Sequence, residues 1–276
     1  MSVDARALIA KYDVRAKKAW SQNFLVEERA FAAIVDGCRL EPDDWAIEIG
    51  AGIGTLTARL ADAAAHVVAV ERERDMLHIL RSELATHPRI ELVEADALQF
   101  DYAAVATRAG RKPVVVGNLP YAIASPLMFR LFEQRRSLKR VVVMLQKEMV
   151  DRIVAPAGTK EYGALSVMVR LYGEPRQVCK VRAGSFIPPP RVDSAVLRIE
   201  LYPDGATKVA VDEAQFSKVV HAAFNQRRKT LRNALSAAYE LDAVDRALAT
   251  AAIDGQRRGE TLTVEEFARV TDGLHA

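Results

Sequence analysis

The sequence predicts a doubly wound α/β sheet followed by a small all-helical domain. Over the first two-thirds of the chain, apolar runs of strand length alternate with segments of helical spacing. Such alternation favours parallel strands joined by right-handed crossovers. A turn-rich segment follows at 201–205, and beyond it the spacing of apolar residues is helical only. The chain of 276 residues is long enough to bury one large core and a second, smaller one.

The predicted strands are short and mostly rich in β-branched residues, as buried parallel strands usually are. Five of them are expected in the first part of the chain, at 46–49, 66–70, 90–93, 114–116 and 141–145. Helices are predicted between them at 55–65, 74–86 and 126–132. Ser125 followed by Pro126 suggests an N-cap and a first helical position for the third helix.

The pattern changes after residue 175. Two further strand-like runs, 178–182 and 195–201, flank the Pro188-Pro189-Pro190 turn, and they predict an antiparallel pair that closes one edge of the sheet. We therefore expect a catalytic domain over 1–204, whose basic segment 1–20 is partly flexible, and a helical domain over 205–276. Phe216, Val219, Val220 and Phe224 mark the apolar face of the first helix of that second domain.

Composition limits the class of protein. No apolar run approaches the roughly 18 residues that a membrane helix needs. Cys38 and Cys179 have no Cys-x-x-Cys partner, which favours free thiols in a reducing cytosol. The five histidines show no ligand spacing with cysteines or acids, so we expect no metal.

A glycine turn and two acids predict a nucleoside cofactor site. Gly50, Gly52 and Gly54 follow the first predicted strand, and Glu71 and Asp96 stand at the next two strand ends. Ligands of open α/β sheets bind at these carboxyl ends, where an acid can accept from ribose hydroxyls or from an adenine amine. A nicotinamide site is the alternative, but its third glycine is replaced by Thr55. S-adenosylmethionine, which has no phosphate, fits the pattern better.

The segment Asn118-Leu119-Pro120-Tyr121 after the fourth strand predicts a reacting site. A purine amine is a poor nucleophile because its lone pair is delocalised into the ring. The Asn118 amide oxygen and the Leu119 carbonyl can accept its hydrogens, and Pro120 fixes the backbone that aims this carbonyl. Tyr121 can stack on the base. The plainer interpretation, a turn after a strand, is disfavoured by the placement beside the glycine turn and acids.

Three basic clusters suggest contact with nucleic acid, although each is also compatible with ordinary surface charge. The net charge is only +3. The clusters contain Lys11, Arg15, Lys17 and Lys18; Arg135, Arg136, Lys139 and Arg140; and Arg227, Arg228, Lys229 and Arg232.

Seven motifs together resemble the ribosomal-RNA adenine dimethyltransferase family, most closely its bacterial small-subunit branch. The resemblance runs from about Lys17 to the last helices. Its motifs are Ser21-Gln22-Asn23-Phe24-Leu25, Glu48-Ile49-Gly50-Ala51-Gly52, Asn118-Leu119-Pro120-Tyr121, Leu145-Gln146-Lys147-Glu148, Tyr162-Gly163-x-Leu165-Ser166, Phe186-x-Pro188-Pro189-Pro190-x-Val192-x-Ser194-Ala195 and Phe224-Asn225-Gln226-Arg227-Arg228-Lys229-Thr230.

The resemblance implies a Rossmann-like class I methyltransferase fold and S-adenosylmethionine as methyl donor. It implies N6,N6-dimethylation of two adjacent adenines in the 3′-terminal hairpin of 16S rRNA, late in small-subunit assembly. Apart from the resemblance, we expect a monomer in the cytoplasm. The cofactor contacts it implies are Asn23, Leu25, Gly50, Gly52, Glu71, Asp96 and Asn118. Phe186 would stack on the adenine opposite Tyr121, and Arg227, Arg228, Lys229 and Arg232 would face RNA.

The sequence departs from the family's usual pattern at three positions. Ser21 replaces a common glycine, Ala51 a common proline, and Ala122 an asparagine that often follows the tyrosine. Ala122 puts in question how firmly the loop after Tyr121 is held. Two alternatives stay open: a 23S rRNA adenine methyltransferase of the macrolide-resistance type, and a ribosome assembly factor that has lost activity.

Overall fold

The computed structural model describes residues 4–14, 23–120 and 123–275. Its helices are α1 (Ala5–Lys11), α2 (Glu28–Cys38), α3 (Thr55–Ala63), α4 (Arg74–Leu84), α5 (Tyr102–Ala109), α6 (Ala124–Glu133), α7 (Lys147–Val154), α8 (Ala164–Tyr172), α9 (Glu213–Asn225), α10 (Leu231–Leu235), α11 (Leu241–Thr250) and α12 (Val264–His275). Its strands are β1 (Phe24–Leu25), β2 (Trp45–Ile49), β3 (His66–Glu71), β4 (Ile90–Glu94), β5 (Val114–Asn118), β6 (Arg140–Gln146), β7 (Gly173–Val181), β8 (Phe186–Ile187) and β9 (Ser194–Leu201).

The main sheet has seven strands in the order β4-β3-β2-β5-β6-β9-β7. The neighbours from β4 to β6 are parallel, whereas β6 and β9 are antiparallel. This confirms the predicted doubly wound α/β sheet and the pair of later strands, β9 and β7, at one edge. The strand order reverses between β2 and β5, which is where ligands of such sheets bind.

Helix α6 begins one residue before the predicted cap. Ile123 is its N-cap residue and Ala124 its first helical residue, so the prediction of Ser125 as N-cap was wrong. Pro126 lies at the third helical position, where its missing N–H still costs nothing, because the first-turn donors have no partner within the helix. The reason is that the chain already turns before Ser125, where the Ile123 N–H donates to the Pro120 carbonyl at 3.1 Å.

A two-stranded antiparallel sheet was not predicted. In it β1 pairs with β8, with Leu25 opposite Phe186 and Phe24 opposite Ile187. The pairing is reinforced by the Val26 N–H, which donates to the Ser185 carbonyl at 2.9 Å. It joins two predicted site segments that lie about 160 residues apart in the sequence.

Part of the basic N-terminal segment is a helix. Asp4 caps α1 by accepting from the Arg6 N–H at 2.8 Å. Ala5 and Leu8 are buried in a cluster with Ile53 and other apolar residues. Helix α1 thus has an apolar face, which it buries in this cluster. Arg15, Lys17 and Lys18, the basic residues that follow in the segment 1–20, lie outside the described part of the chain.

The chain divides into two compact units, which differ from the predicted domains in one segment. The first unit comprises 1–150 and 176–205, and the second comprises 151–175 and 206–276. The last of the three junctions between the units lies between 205 and 206, near the predicted boundary at 204, whereas 151–175 groups with the helical unit. Within that unit, the Lys208 N–H donates to the Leu171 carbonyl at 2.8 Å, and Tyr162 packs edge-on against Phe224.

The helical unit is built around the predicted face of α9. Phe216, Val219 and Val220 are fully buried, whereas Phe224 is half-buried. Phe216 and Phe224 both pack against Phe267 of α12, with ring centroids 6.4 and 6.0 Å away.

Throughout the described residues, no helix combines the length and apolar character needed to span a membrane.

Candidate active site

A cavity of about 420 Å³ lies in the first unit at the carboxyl ends of β2, β3 and β5. It is lined by every predicted cofactor residue and by every predicted catalytic residue that the structure describes. These are Asn23, Leu25, Gly50, Gly52, Glu71, Asp96, Asn118, Leu119, Pro120 and Phe186. Tyr121 and Ala122 lie outside the described residues. The roles predicted for the ten described residues therefore concern one site.

The glycine turn forms the part of the cavity next to β2. Gly50, Gly52 and Gly54 all have positive φ angles, of 70°, 56° and 82°. Gly54 has a second requirement, since an added Cβ would lie 2.6 Å from Leu84 Cδ1. Glycine is required where φ is positive and neighbouring atoms are this close. The turn brings backbone N–H groups to the edge of the cavity.

Glu71 is held by backbone donors around its carboxylate. Oε2 accepts from the Gly52 N–H at 2.8 Å, and Oε1 accepts from the Arg72 and Glu73 N–H groups at 2.7 and 2.8 Å. The side chain is buried, with 8% of its surface exposed. A carboxylate with three charge-assisted hydrogen bonds is firmly oriented. Oε2, with one bond among those described, retains acceptor capacity for a ligand hydroxyl.

Asp96 shares its carboxylate between the backbone and Arg72. Oδ1 accepts from the Leu98 N–H at 2.9 Å, and Oδ2 pairs with Arg72 Nη1 at 3.1 Å. Both side chains are partly exposed, so this ion pair contributes little to stability. Sequence reasoning missed Arg72, which lines the cavity directly after Glu71. A ligand amine at Asp96 would share Oδ2 with this guanidinium.

Glu48 is a third carboxyl group in the cavity wall, and no role was predicted for it from the sequence. It is 2% exposed, and among the described residues its Oε2 has no hydrogen-bond partner. Burial raises the pKa of Glu48 from 4.5 to about 8, and the nearby Glu71 carboxylate adds to the rise. The signal in the sequence that could have identified Glu48 was a single acid within an otherwise apolar strand, Trp45–Ile49.

The reacting segment begins at the last residue of β5. The Asn118 side-chain nitrogen donates to the Asn23 carbonyl at 3.2 Å, which orients the amide. The Leu119 N–H donates to the Met144 carbonyl of β6 at 3.2 Å, and the Leu119 side chain is fully buried. The Pro120 carbonyl accepts from Ile123 at 3.1 Å. With its nitrogen occupied, the Asn118 amide presents its oxygen as the group that can accept from a ligand.

Phe186 both packs in the core and lines the cavity. It is 3% exposed and belongs to the main apolar cluster of the first unit. Its neighbour Ser185 donates a short hydrogen bond to Glu27. A place in the apolar core is therefore compatible with a place in the wall of the cavity for Phe186. The β1–β8 pairing fixes where its ring lies.

The basic cluster after α9 divides into two pairs. Arg227 bonds the Glu260 carboxylate at 3.0 Å and donates to the Lys160 and Tyr162 carbonyls, and Arg232 makes a two-point pair with Asp245 at 2.6 and 2.7 Å. These two arginines are engaged in bonds within the helical unit. The other two, Arg228 and Lys229, are exposed. They are the members of the cluster that can contact RNA without breaking a described bond.

Comparisons with known proteins agree on one family. Residues 14–275 match the family described as ribosomal RNA adenine dimethylase. A protein from Alkaliphilus metalliredigens (strain QYMF), named ribosomal RNA small subunit methyltransferase A, is 42% identical over 276 residues, which cover 98% of this chain and 96% of that protein. A protein of the same name from Anaeromyxobacter sp. (strain K) is 45% identical over 273 residues, 95% of both.

Two solved structures share the fold over most of their length. The 23S rRNA methyltransferase ErmE gives a TM-score of 0.71 at 27% identity, covering 92% of this chain and all of that chain. A dimethyladenosine transferase from Plasmodium falciparum gives a TM-score of 0.76 at 24% identity, covering 90% and 95%. At that identity the second likeness concerns the fold alone. With the family match across nearly its whole length, this chain belongs to the ribosomal RNA adenine dimethylase family.

Proposed function

We propose that the protein uses S-adenosylmethionine to dimethylate, at N6, two adjacent adenines in the 3′-terminal hairpin of 16S rRNA during biogenesis of the small ribosomal subunit. The observation that carries this proposal is the convergence of the glycine turn, the strand-end acids and the Asn118 segment on one cavity. The substrate is 16S rRNA within the small subunit or its precursor. We further propose that the protein acts as a monomer in the cytoplasm, where the subunits assemble.

The charge of the cavity fits S-adenosylmethionine better than a nicotinamide cofactor. Glu71 and Asp96 line it as carboxylates, and the Glu48 carboxyl group adds an oxygen, Oε2, that is buried without a partner among the described residues. A cofactor with a sulfonium, an ammonium and ribose hydroxyls offers cations and donors to these oxygens. A pyrophosphate would meet carboxylates at short range, which costs free energy in a partly buried site. The bound cofactor would supply an electrophilic methyl group.

The residues proposed to hold the cofactor are distributed around the cavity. Glu71 would accept from the ribose hydroxyls through its Oε2, and Asp96 would accept from the adenine amine. Gly50 and Gly52 would contact the cofactor through the backbone, because no side chain stands in the way. Asn23 and Leu25, from the segment before α2, would complete the binding surface.

The proposed chemistry depends on positioning the substrate amine. The Asn118 oxygen and the Leu119 carbonyl would accept the two amine hydrogens, which localises the nitrogen lone pair and aims it. Catalysis would come chiefly from this alignment. Pro120 restricts the backbone between these groups and Tyr121. Phe186 and Tyr121 would stack on the adenine from opposite sides. No strong base is needed, since the methylated ammonium is acidic and loses its proton to these acceptors or to water.

The small subunit is favoured as substrate by the names of the relatives. Proteins 38–45% identical over nearly the whole chain are named ribosomal RNA small subunit methyltransferase A. The 23S enzyme ErmE is 27% identical, so the macrolide-resistance type is the more distant alternative. An assembly factor without activity would have no use for Glu71, held by three backbone donors at the cavity.

The proposal is tested by methyl transfer from labelled S-adenosylmethionine to three substrates: small subunits that lack the modification, large subunits, and naked 16S rRNA. We expect label in small-subunit RNA and none in large-subunit RNA. Calorimetry of the purified protein should show binding of S-adenosylmethionine and not of NAD. Label confined to large-subunit RNA would replace the proposal with the 23S alternative, and tight NAD binding would refute the cofactor assignment.

A further inference from the structure

The helical unit contains a groove of its own, with a volume of about 700 Å³. It is formed by one face of α9, by Ala234 of α10 and residues that follow this helix, and by the last residue of α12. Gln215, Lys218 and His221 lie on the same side of α9, since residues three apart face the same way. A groove of this size can hold a small organic ligand, or about one to two nucleotides.

The lining of the groove favours an anion. Lys218 brings a positive charge, His221 and His275 bring imidazole rings, and no carboxylate lines the groove among the described residues. All three side chains are exposed at its rim. Gln215, Asn225 and Gln226 add amides, which offer donors and acceptors of the kind that base edges require. A nucleic acid strand can match both kinds of group, since its phosphates pair with cations and its base edges pair with amides.

The groove can accept a flat ring. Ala234, Ala237 and Ala238 are small enough to leave the space open beside Tyr239, which is half-buried. The Tyr239 ring lies 6.1 Å from the His275 ring at 75°, so the two rings form a corner and not a stack. A base entering here can stack on an aromatic face without displacing a packed partner.

The basic turn after α9 begins at Gln226, which lines the groove. The chain turns there because the Lys229 N–H donates to the Gln226 carbonyl at 2.8 Å. Arg228 and Lys229 in this turn are exposed. Their guanidinium and ammonium groups add two positive charges to the one that Lys218 brings to the groove.

We propose that this groove binds a single-stranded segment of RNA, with one base stacked on Tyr239 and adjacent phosphates on Lys218, Arg228 and Lys229. This inference rests on the proposed function, because it assigns to the substrate RNA a second nucleotide site besides that for the methylated adenine. The site is a binding site, and its residues take no part in methyl transfer.

The test is binding of a fluorescent, single-stranded adenosine hexanucleotide to the full chain over a range of salt concentrations. Tyr239→Ala should weaken binding about tenfold, as loss of one stacking platform does. Lys218→Gln should lower the slope of log affinity against log salt by about one. Two controls should match the wild type: Tyr239→Phe, which keeps the ring, and Arg246→Gln, which removes a charge from the exposed side of α11.

Unchanged binding by Lys218→Gln would overturn the proposal even if Tyr239→Ala failed to fold, because Lys218 is exposed and its replacement leaves the core intact. Equal weakening by Arg246→Gln would also overturn it, since that result means general attraction to a positive surface. Methyl transfer by the wild type to small subunits is measured in parallel. If the wild type transfers no methyl group, the proposed function is refuted. If it transfers methyl groups normally but both groove variants bind the hexanucleotide as the wild type does, only the proposed role of the groove is refuted.

Discussion

Replacing Glu48 by glutamine should make the stability of the free protein less dependent on pH. Burial, with a contribution from Glu71, raises the pKa of Glu48 from 4.5 to about 8. The folded protein therefore binds this proton more tightly than the unfolded chain does. A group with a raised pKa contributes stability that is fully present below the unfolded pKa and is lost as pH rises through the folded pKa. The stability that protonated Glu48 contributes is thus lost between about pH 4.5 and pH 8.

The size of the effect follows from the shift. One pKa unit corresponds to about 1.4 kcal/mol, so the full contribution of Glu48 is about 5 kcal/mol and about 3 kcal/mol of it is lost by pH 7. Glutamine has nearly the same shape and does not titrate. The difference in unfolding free energy between Glu48→Gln and the wild type should therefore move in favour of the variant by about 4 kcal/mol from pH 5 to pH 9.

The assay is urea unfolding of both proteins at several pH values, without cofactor, followed by circular dichroism. The comparison across pH is the informative one, because any cost of burying the glutamine amide is the same at every pH. Glu71→Gln is a useful second variant, since removal of the neighbouring carboxylate should reduce the shift at Glu48. Parallel stability curves for the wild type and Glu48→Gln would show that Glu48 is not held protonated, and would refute the reasoning.

Three further predictions concern the reacting segment, the glycine turn and the RNA contact. Asn118→Ala should lower methyl transfer by about 100-fold or more while subunit binding stays nearly intact. A near-normal initial rate would contradict the acceptor role. Gly54→Ala should lower the free energy of unfolding, measured in urea, by about 2–4 kcal/mol, because the new side chain strains the backbone and overlaps Leu84. The control is Gly110→Ala: Gly110 has a φ of +65° and open space around it, so this variant should show only the cost of backbone strain. Equal losses of stability in the two variants would exclude the overlap with Leu84. Replacing Arg228 and Lys229 by glutamine should lower the salt slope of subunit binding by about two, and an unchanged slope would place the contact elsewhere.

The sheet and the positions of the acids could be predicted because their signals are local. Apolar runs such as 141–145 fix buried strands, and the glycines at 50–54 fix a turn. Once strands are parallel, the residues after them meet at one edge. Glu71, Asp96 and Asn118 therefore line the same cavity, although the distances between them could not be predicted.

The contacts that orient these residues could not be predicted because their partners are distant in sequence. Asn118 bonds the carbonyl of Asn23, 95 residues away, and Phe186 is placed by pairing with Leu25. Short strands of two residues carry too little pattern to be recognised. The same holds for Arg227, whose partner Glu260 lies 33 residues further on. A run of basic residues in the sequence does not show which of their side chains are already paired with acids of the same protein.

The most direct measurement of the central claim is mass-spectrometric mapping of the bases methylated in small subunits that lack the modification, after incubation with the protein and S-adenosylmethionine. The structure and the family together predict N6,N6-dimethyladenosine at two adjacent adenines of the 3′-terminal hairpin of 16S rRNA, and no modification by Asn118→Ala. Methylation at a nitrogen other than N6, or only in 23S rRNA, would contradict the account.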